Sequence, residues 1–280
     1  ASRIDDSSLP SEFLITTDIN KIESISRKLF LLNEKRKLIE NKIYNQAVEQ
    51  AKKQSKSKYI LVFSNNWHNG VLGIIASKII NIYNKPVIVI SFTNNIGVGS
   101  GRSINKIDLG QIILNAKNKK ILIEGGGHSM AAGLKIKYEN LENFKLFLNK
   151  TFEKFQFILF EKNSYYDSII SVNELNNNLL ETLQQIEPFG NGNSEPSFII
   201  KDLIIKSVKI IKEKHILLFF ENDKTENFKG ICFNCINNPL GEYLLNFKKY
   251  KFNFGCSVVA DNYNNIIQPQ LIIKDAMIVN

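Results

Sequence analysis

Between residues 20 and 56 the chain has no Gly or Pro, and apolar side chains recur at Ile22, Ile25, Leu29, Leu32, Ile39, Ile43 and Val48 with charges between them. That spacing of three or four predicts one long amphipathic helix. At residue 58 the period changes. "KYILVFS" is a short continuous apolar run, read as a buried strand. "VLGIIASKIINIYN" returns to helical spacing through Val71, Leu72, Ile75, Ile79 and Tyr83, and "KPVIVISF" is a second buried run with Pro86 at its start. Strand, helix, strand with short loops predicts a βαβ unit with its two strands parallel. "IGVGSGRSI" follows as a Gly-rich strand or turn, "IDLGQIILNAK" as a short helix, "GLKIKY" as another strand and "ENLENFKLFLNKTFEKF" as a closing amphipathic helix.

Beyond about residue 163 the pattern is strand-like throughout. "PSFIIKDLIIKSVKII", "HILLFFEN", "FKGICFNC", "YKFNFGCSVVADNY" and "QPQLIIKDAMIV" are apolar runs between polar turns, which suits a five-stranded barrel of the OB type. The predicted architecture is therefore an α/β domain with a mixed sheet (58–158), preceded by a long connecting helix (20–57) and followed by an all-β OB-like barrel (159–280). Residues 1–19 hold too few apolar side chains for a core and read as the tail of another structure. Since the chain starts at Ala1, not Met, a further segment is expected before it.

Composition adds a class and charge adds a location. With 44% apolar and 22% charged residues, the 280-residue chain has a globular balance. No apolar run approaches the roughly 20 residues a membrane helix needs, and the first residues lack a signal peptide's basic and apolar regions, so a cytoplasmic protein is expected. The net charge is +9. Residues 59–158 carry 12 basic against 5 acidic side chains, whereas residues 159–280 carry 12 against 14. The middle domain suits a polyanion, although a solvated lysine surface would give the same count. Only Arg3, Arg27, Arg36 and Arg102 are arginine against 32 lysines, so each arginine is informative wherever a planar two-pronged donor is needed.

The inventory for catalysis is thin. His68, His128 and His215 have no metal-ligand spacing, and carboxylates do not cluster. Cys232, Cys235 and Cys256 read as buried thiols, with zinc or redox chemistry at "CFNC" as the other reading. Donors and bare backbone stand out instead. "GVGSGRS" sets Gly97, Gly99 and Gly101 around Ser100, Arg102 and Ser103, the parts of an anion nest with hydroxyl and guanidinium donors; a Gly-rich hairpin with an incidental arginine is the alternative. "GGGHSMAAG" puts His128 after Gly126 and Gly127 and before Ala131, Ala132 and Gly133, all small enough for close approach. In "NWHNG", Trp67 offers either a base-stacking face or a core side chain, and His68 a donor.

Three motifs in order, "NWHNGVLGIIASKI", "GSGRSI" and "GGGHSMAAG", resemble the DHH-associated domain of the DHH phosphoesterase superfamily. With "IEPFGNGNSEPSF" as a join to an OB domain, the chain is most similar to the RecJ family of single-strand-specific DNA exonucleases, and "ASRIDDSSLPSEFLI" resembles the end of that family's catalytic DHH domain. Asn69 and Ser194 stand where the family commonly has proline. The Asp-His-His signature and the other metal-holding residues are missing from this sequence. The resemblance implies 5′-to-3′ hydrolysis of single-stranded DNA by two manganese or magnesium ions held in the DHH domain, none bound by this chain alone. It implies Ser100, Gly101, Arg102 and Ser103 on the terminal phosphate and Gly126, Gly127 and His128 near the scissile bond, His128 assisting catalysis. Trp67 and His68 would line the cleft, and Arg3 would reach the same phosphate. It further implies single-stranded DNA as partner, a single-strand-binding protein or helicase as protein partners, and a monomer. Two other readings stay open: a stand-alone single-strand-binding module, and a phosphodiesterase of the same superfamily acting on small oligonucleotides.

Overall fold

Helix α1 (Ser8–Ile15) leads into α2 (Ile19–Lys52), whose start is capped by Asp18: its carboxylate accepts the backbone N–H of Asn20 at 2.9 Å and of Lys21 at 3.4 Å. The computed structural model describes residues 2–5, 7–156, 164–221, 228–236, 238–263 and 266–279, which fall into two units, Ala1–Lys162 and Asn163–Asn280. Among the described residues no helix is long and apolar enough to cross a membrane.

The first unit is built on a five-stranded sheet in the order β1 (Ile60–Asn65), β2 (Val87–Thr93), β3 (Ile96–Arg102), β5 (Ala131–Lys137), β4 (Glu124–His128). β1 and β2 are parallel and joined by α3 (Leu72–Tyr83); every other pair is antiparallel. The strand alternation sends side chains to two cores. Leu61, Ile88, Ile90, Phe92, Leu134 and Ile136 meet α4 (Leu109–Asn118) and α5 (Leu141–Phe152) on one face. Ile60, Val62, Val87 and Val89 meet α2 and α3 on the other. No buried residue of β3, β4 or β5 joins that second core; α3 reaches over β3, while Gly133 and His128 on the strands beyond it are exposed.

Two devices fix α2 to this sheet. Glu40, 5% exposed, receives both Arg36 and, at 2.6 Å, Lys78 of α3. At the end of the helix, Gln50 and Gln54 pair with the free edge of β1 as a neighbouring strand would. Each amide donates to a carbonyl (Phe63 at 2.9 Å, Leu61 at 2.8 Å) and accepts the N–H of the same residue at 3.0 Å.

The second unit has five strands closed into a barrel in the order β7 (Phe198–Ile211), β8 (His215–Glu221), β9 (Lys229–Cys232), β11 (Ile266–Val279), β10 (Lys251–Tyr263), with β10 pairing back to β7. The short β6 (Ser168–Ile170) adds alongside β7, and α6 (Asn177–Gln185) and α7 (Pro239–Leu245) complete it. Its core includes Ile200, Leu218, Phe220, Phe254 and Leu271. The three cysteines are free and buried; Cys232 ends β9, and Cys235, past a turn, donates its Sγ–H to the Cys232 carbonyl at 3.2 Å.

Candidate functional site

"GVGSGRS" is not a turn but an internal strand, and that changes what its glycines do. With β2 on one side and β5 on the other, the backbone N–H groups of β3 belong to two ladders and form no anion nest. Gly97, Gly99 and Gly101 point into the core, where an added Cβ would lie within 3 Å of Phe92, Leu134 and Leu109 respectively. The alternate residues Val98, Ser100 and Arg102 point to the opposite face, where Ser100 and Arg102 lie half-buried beside the start of α3. Gly101 is thus a packing residue and not a phosphate ligand. Ser103 is a second correction: it is 4% exposed and its hydroxyl donates to the Ile107 carbonyl at 2.7 Å, so no donor is left for a ligand.

The strand registers carry this face across the sheet. Arg102 pairs with Ala131 and Ala131 with His128; Ser100 pairs with Gly133 and Gly133 with Gly126. Directly opposed residues of an antiparallel pair share a face. Arg102, Ser100, Ala131, Gly133, Gly126 and His128 therefore lie on one shelf. Its middle is bare: a Cβ on Gly126 would meet nothing within 4 Å, and one on Gly133 only the Gly99 carbonyl at 4.0 Å. Gly127 has a different reason to be glycine, since its φ of +151° is strained for an L side chain and a Cβ would lie 2.2 Å from the Ala131 carbonyl oxygen.

Donors stand at both ends of the shelf. Arg102 donates from Nη1 to the Gly101 carbonyl at 2.9 Å and lies 3.5 Å from the Ser100 hydroxyl; among the described residues it has no carboxylate partner. Its Nη2 lies 3.0 Å from the Cβ position of Gly73, in the first turn of α3, so the glycine leaves room for the guanidinium beside the start of that helix. One turn earlier the Arg3 carbonyl occupies the place of a Gly70 side chain, and Arg3 Nη1 donates to the Gly70 carbonyl at 3.4 Å. At the far end, the two-residue turn after His128 is tied down. Ser103 N–H donates to the Met130 carbonyl at 2.8 Å and Leu109 N–H to that of Ser129 at 3.0 Å. His128 is exposed, and its Nδ1 accepts the Met130 N–H at 3.3 Å, which leaves Nε2 as the N–H donor of the neutral ring.

The "NWH" residues sit beneath this corner. Trp67 is 6% exposed, gives its Nε1–H to Gln46 at 2.7 Å and accepts Ser91 Oγ at its carbonyl, so it is a core side chain and its face is closed to a base. His68 is half-buried and caps the short turn 69–71 by accepting the Gly70 N–H at 3.2 Å. Gly73 went unnoticed in the sequence, although a glycine inside an otherwise apolar helical stripe is itself a sign of close approach.

Two stretches of the chain match known domain families. Residues 55–154 match the DHHA1 domain and residues 166–275 the RecJ OB domain. The chain carries a DHHA1 domain and a RecJ OB domain. The single-stranded-DNA-specific exonuclease RecJ of Bacillus subtilis is 24% identical over 99% of this chain, and that of Escherichia coli 26% over 94%. The crystal structure of Thermus thermophilus RecJ in complex with Mn2+ superposes on 99% of the chain with a TM-score of 0.78 at 20% identity, a likeness of fold. The match covers 35% and 48% of those two relatives' lengths, so this chain spans less than half of either RecJ. Among the described residues no three His, Cys, Asp or Glu come together to hold an ion.

Proposed function

We propose that this chain is the nucleic-acid-handling part of a cytoplasmic, monomeric exonuclease that shortens single-stranded DNA from its 5′ end in repair and recombination. The observation that carries this reading is the bare shelf with donors at its ends. Arg102, free of any carboxylate among the described residues, offers two parallel N–H groups to a terminal phosphate, with the Ser100 hydroxyl and the start of α3 beside it. Arg3 adds a second guanidinium at the same helix start. Gly126 and Gly133 let a sugar-phosphate backbone lie against the sheet, and His128 donates from Nε2 to the phosphate further along. Trp67 and His68 hold the corner in shape from below. Divalent ions would activate water for attack on the phosphodiester. No three His, Cys, Asp or Glu among the described residues come together to hold them, and the part assigned here is to grip and align the strand. On the barrel, Phe233, 52% exposed and braced edge-on by His215, offers a stacking face, with Lys212 and Lys214 in the adjacent turn.

The test is direct. Incubated with manganese and labelled single strands, the 280-residue chain is expected to bind them in preference to duplex and to cleave neither. Processive cleavage would contradict the division of labour, and an absence of single-strand binding would contradict the reading as a whole.

A further inference from the structure

The barrel has a seam that the shelf does not explain. β7 changes partners midway: Phe198 to Leu203 face β10, while Ile204 to Ile211 face β8. Register shifts lie on both sides of the change, between Phe252 and Phe254 and between Ile205 and Ser207. Such irregularities splay a barrel where they occur. Here the end of β8 at Glu221 and the start of β10 at Lys251 part around β7 and leave a cavity of about 580 Å³, within the range of small-ligand sites. Its floor is Leu203, Ile205 and Phe252, all buried.

The walls are of two kinds. Phe247 and Tyr250 are half-buried aromatic rings, and Tyr250 is held edge-on by Tyr243 at 5.3 Å and by Phe252 at 6.1 Å between centroids, which makes it a fixed platform. Lys206, Lys248 and Lys251 surround the opening with one carboxylate, Glu221, and among the described residues none of these four is in an ion pair. The second unit as a whole is not basic, so three uncommitted cations around an aromatic pocket are a local feature. We propose that this cavity is a nucleotide site, taking one base of a single strand against Phe247 and Tyr250 with the adjoining phosphates on Lys206, Lys248 and Lys251. It rests on the single-strand reading above and lies on the β7–β10 side of the barrel, away from the Phe233 face on β8 and β9. Stacking on an aromatic face with cations along the backbone is the chemistry that holds single strands irrespective of sequence.

Photocross-linking of the full chain to a single strand substituted with 5-iodouracil tests the assignment. Cross-linked peptides from residues 247–252 are expected, alongside those from the shelf. In a Lys248→Glu, Lys251→Glu double variant the first set is expected to vanish and the second to persist, and the slope of log affinity against log salt to fall by about 1.4, two lost single-strand phosphate contacts. The milder Lys248→Ala, Lys251→Ala pair, checked for folding by circular dichroism, should show the same loss. Shelf cross-links with none at residues 247–252 would overturn the cavity assignment while leaving the single-strand reading intact. Cross-links at neither place would overturn both. Oligoglutamate is expected not to protect the cavity, and protection equal to that by an unlabelled strand would reassign it to an acidic peptide.

Discussion

Arg102 and Gly126 occupy the shelf for opposite reasons, one for what it offers and the other for what it leaves out. A Cβ at Gly126 meets no atom within 4 Å, so Gly126→Ala is expected to fold with an unchanged or slightly raised melting temperature while weakening single-strand binding severalfold. Gly99→Ala should do the reverse, since its Cβ would lie 2.9 Å from Leu134: stability falls by about 1–3 kcal/mol through overpacking, and binding by the folded fraction is kept. Melting curves and fluorescence anisotropy on the pair check this, and equal binding losses would mean that the bare middle of the shelf is not approached by the strand. The thiols make a separate prediction. Burial pushes Cys256 up to about 12 from an ordinary value near 9, raises Cys232 also, and lifts the Tyr59 hydroxyl to about 12. Because the folded-state values are raised, the stability from keeping these groups neutral is complete below about pH 9 and is lost as pH climbs from about 9 to 12. Native protein should resist iodoacetamide at pH 8 and react fully in urea, and the urea midpoint should fall steadily above pH 9. Rapid alkylation of the native thiols, or a midpoint flat to pH 11, would contradict the burial argument.

Elements were legible where one period ran long enough. The α2 helix, the parallel β1–α3–β2 unit and the five barrel strands all follow from apolar spacing, because packing and periodicity agree there. β3 and β4 were harder for one physical reason: a glycine-rich strand gives no alternation to count, and its backbone looks free until the neighbours that pair with it are known. That is also why the nest at residues 97–101 was expected and an internal strand was found. Ser103, read as a donor from its place after Arg102, faces inward because the strand ends there and its hydroxyl finds the Ile107 carbonyl. The helices α1, α6 and α7 are short and bury few side chains, so little periodic signal announced them. The amide pairing of Gln50 and Gln54 with β1 was invisible in sequence, since it depends on where α2 ends relative to a strand edge. An unblunted edge recruits other strands. Replacing both glutamines by leucine is expected to cause concentration-dependent self-association in light scattering, and a variant that stays monomeric and equally stable would show that this edge needs no cover.

For the molecule as a whole, charge and shape address the same ligand from different directions. The net charge of +9 draws any polyanion, and its largest share lies in residues 59–158, which contain β3, β4 and β5. That attraction alone is sequence-blind and end-blind, and it weakens with salt. On the proposed reading, attraction becomes recognition of a strand end through a planar donor that lysine cannot imitate, placed beside the bare part of the sheet. The account therefore turns on the affinity of the chain for a 5′-phosphorylated single strand relative to the same strand with a 5′-hydroxyl, measured at one salt concentration for the wild type and for Arg102→Lys. The expected result is a preference for the phosphate of about tenfold in the wild type, on the order of one charge-assisted bidentate contact, and little or none in the variant. Equal affinities in the wild type, or a preference that survives the substitution, would contradict the assignment of Arg102 to the terminal phosphate.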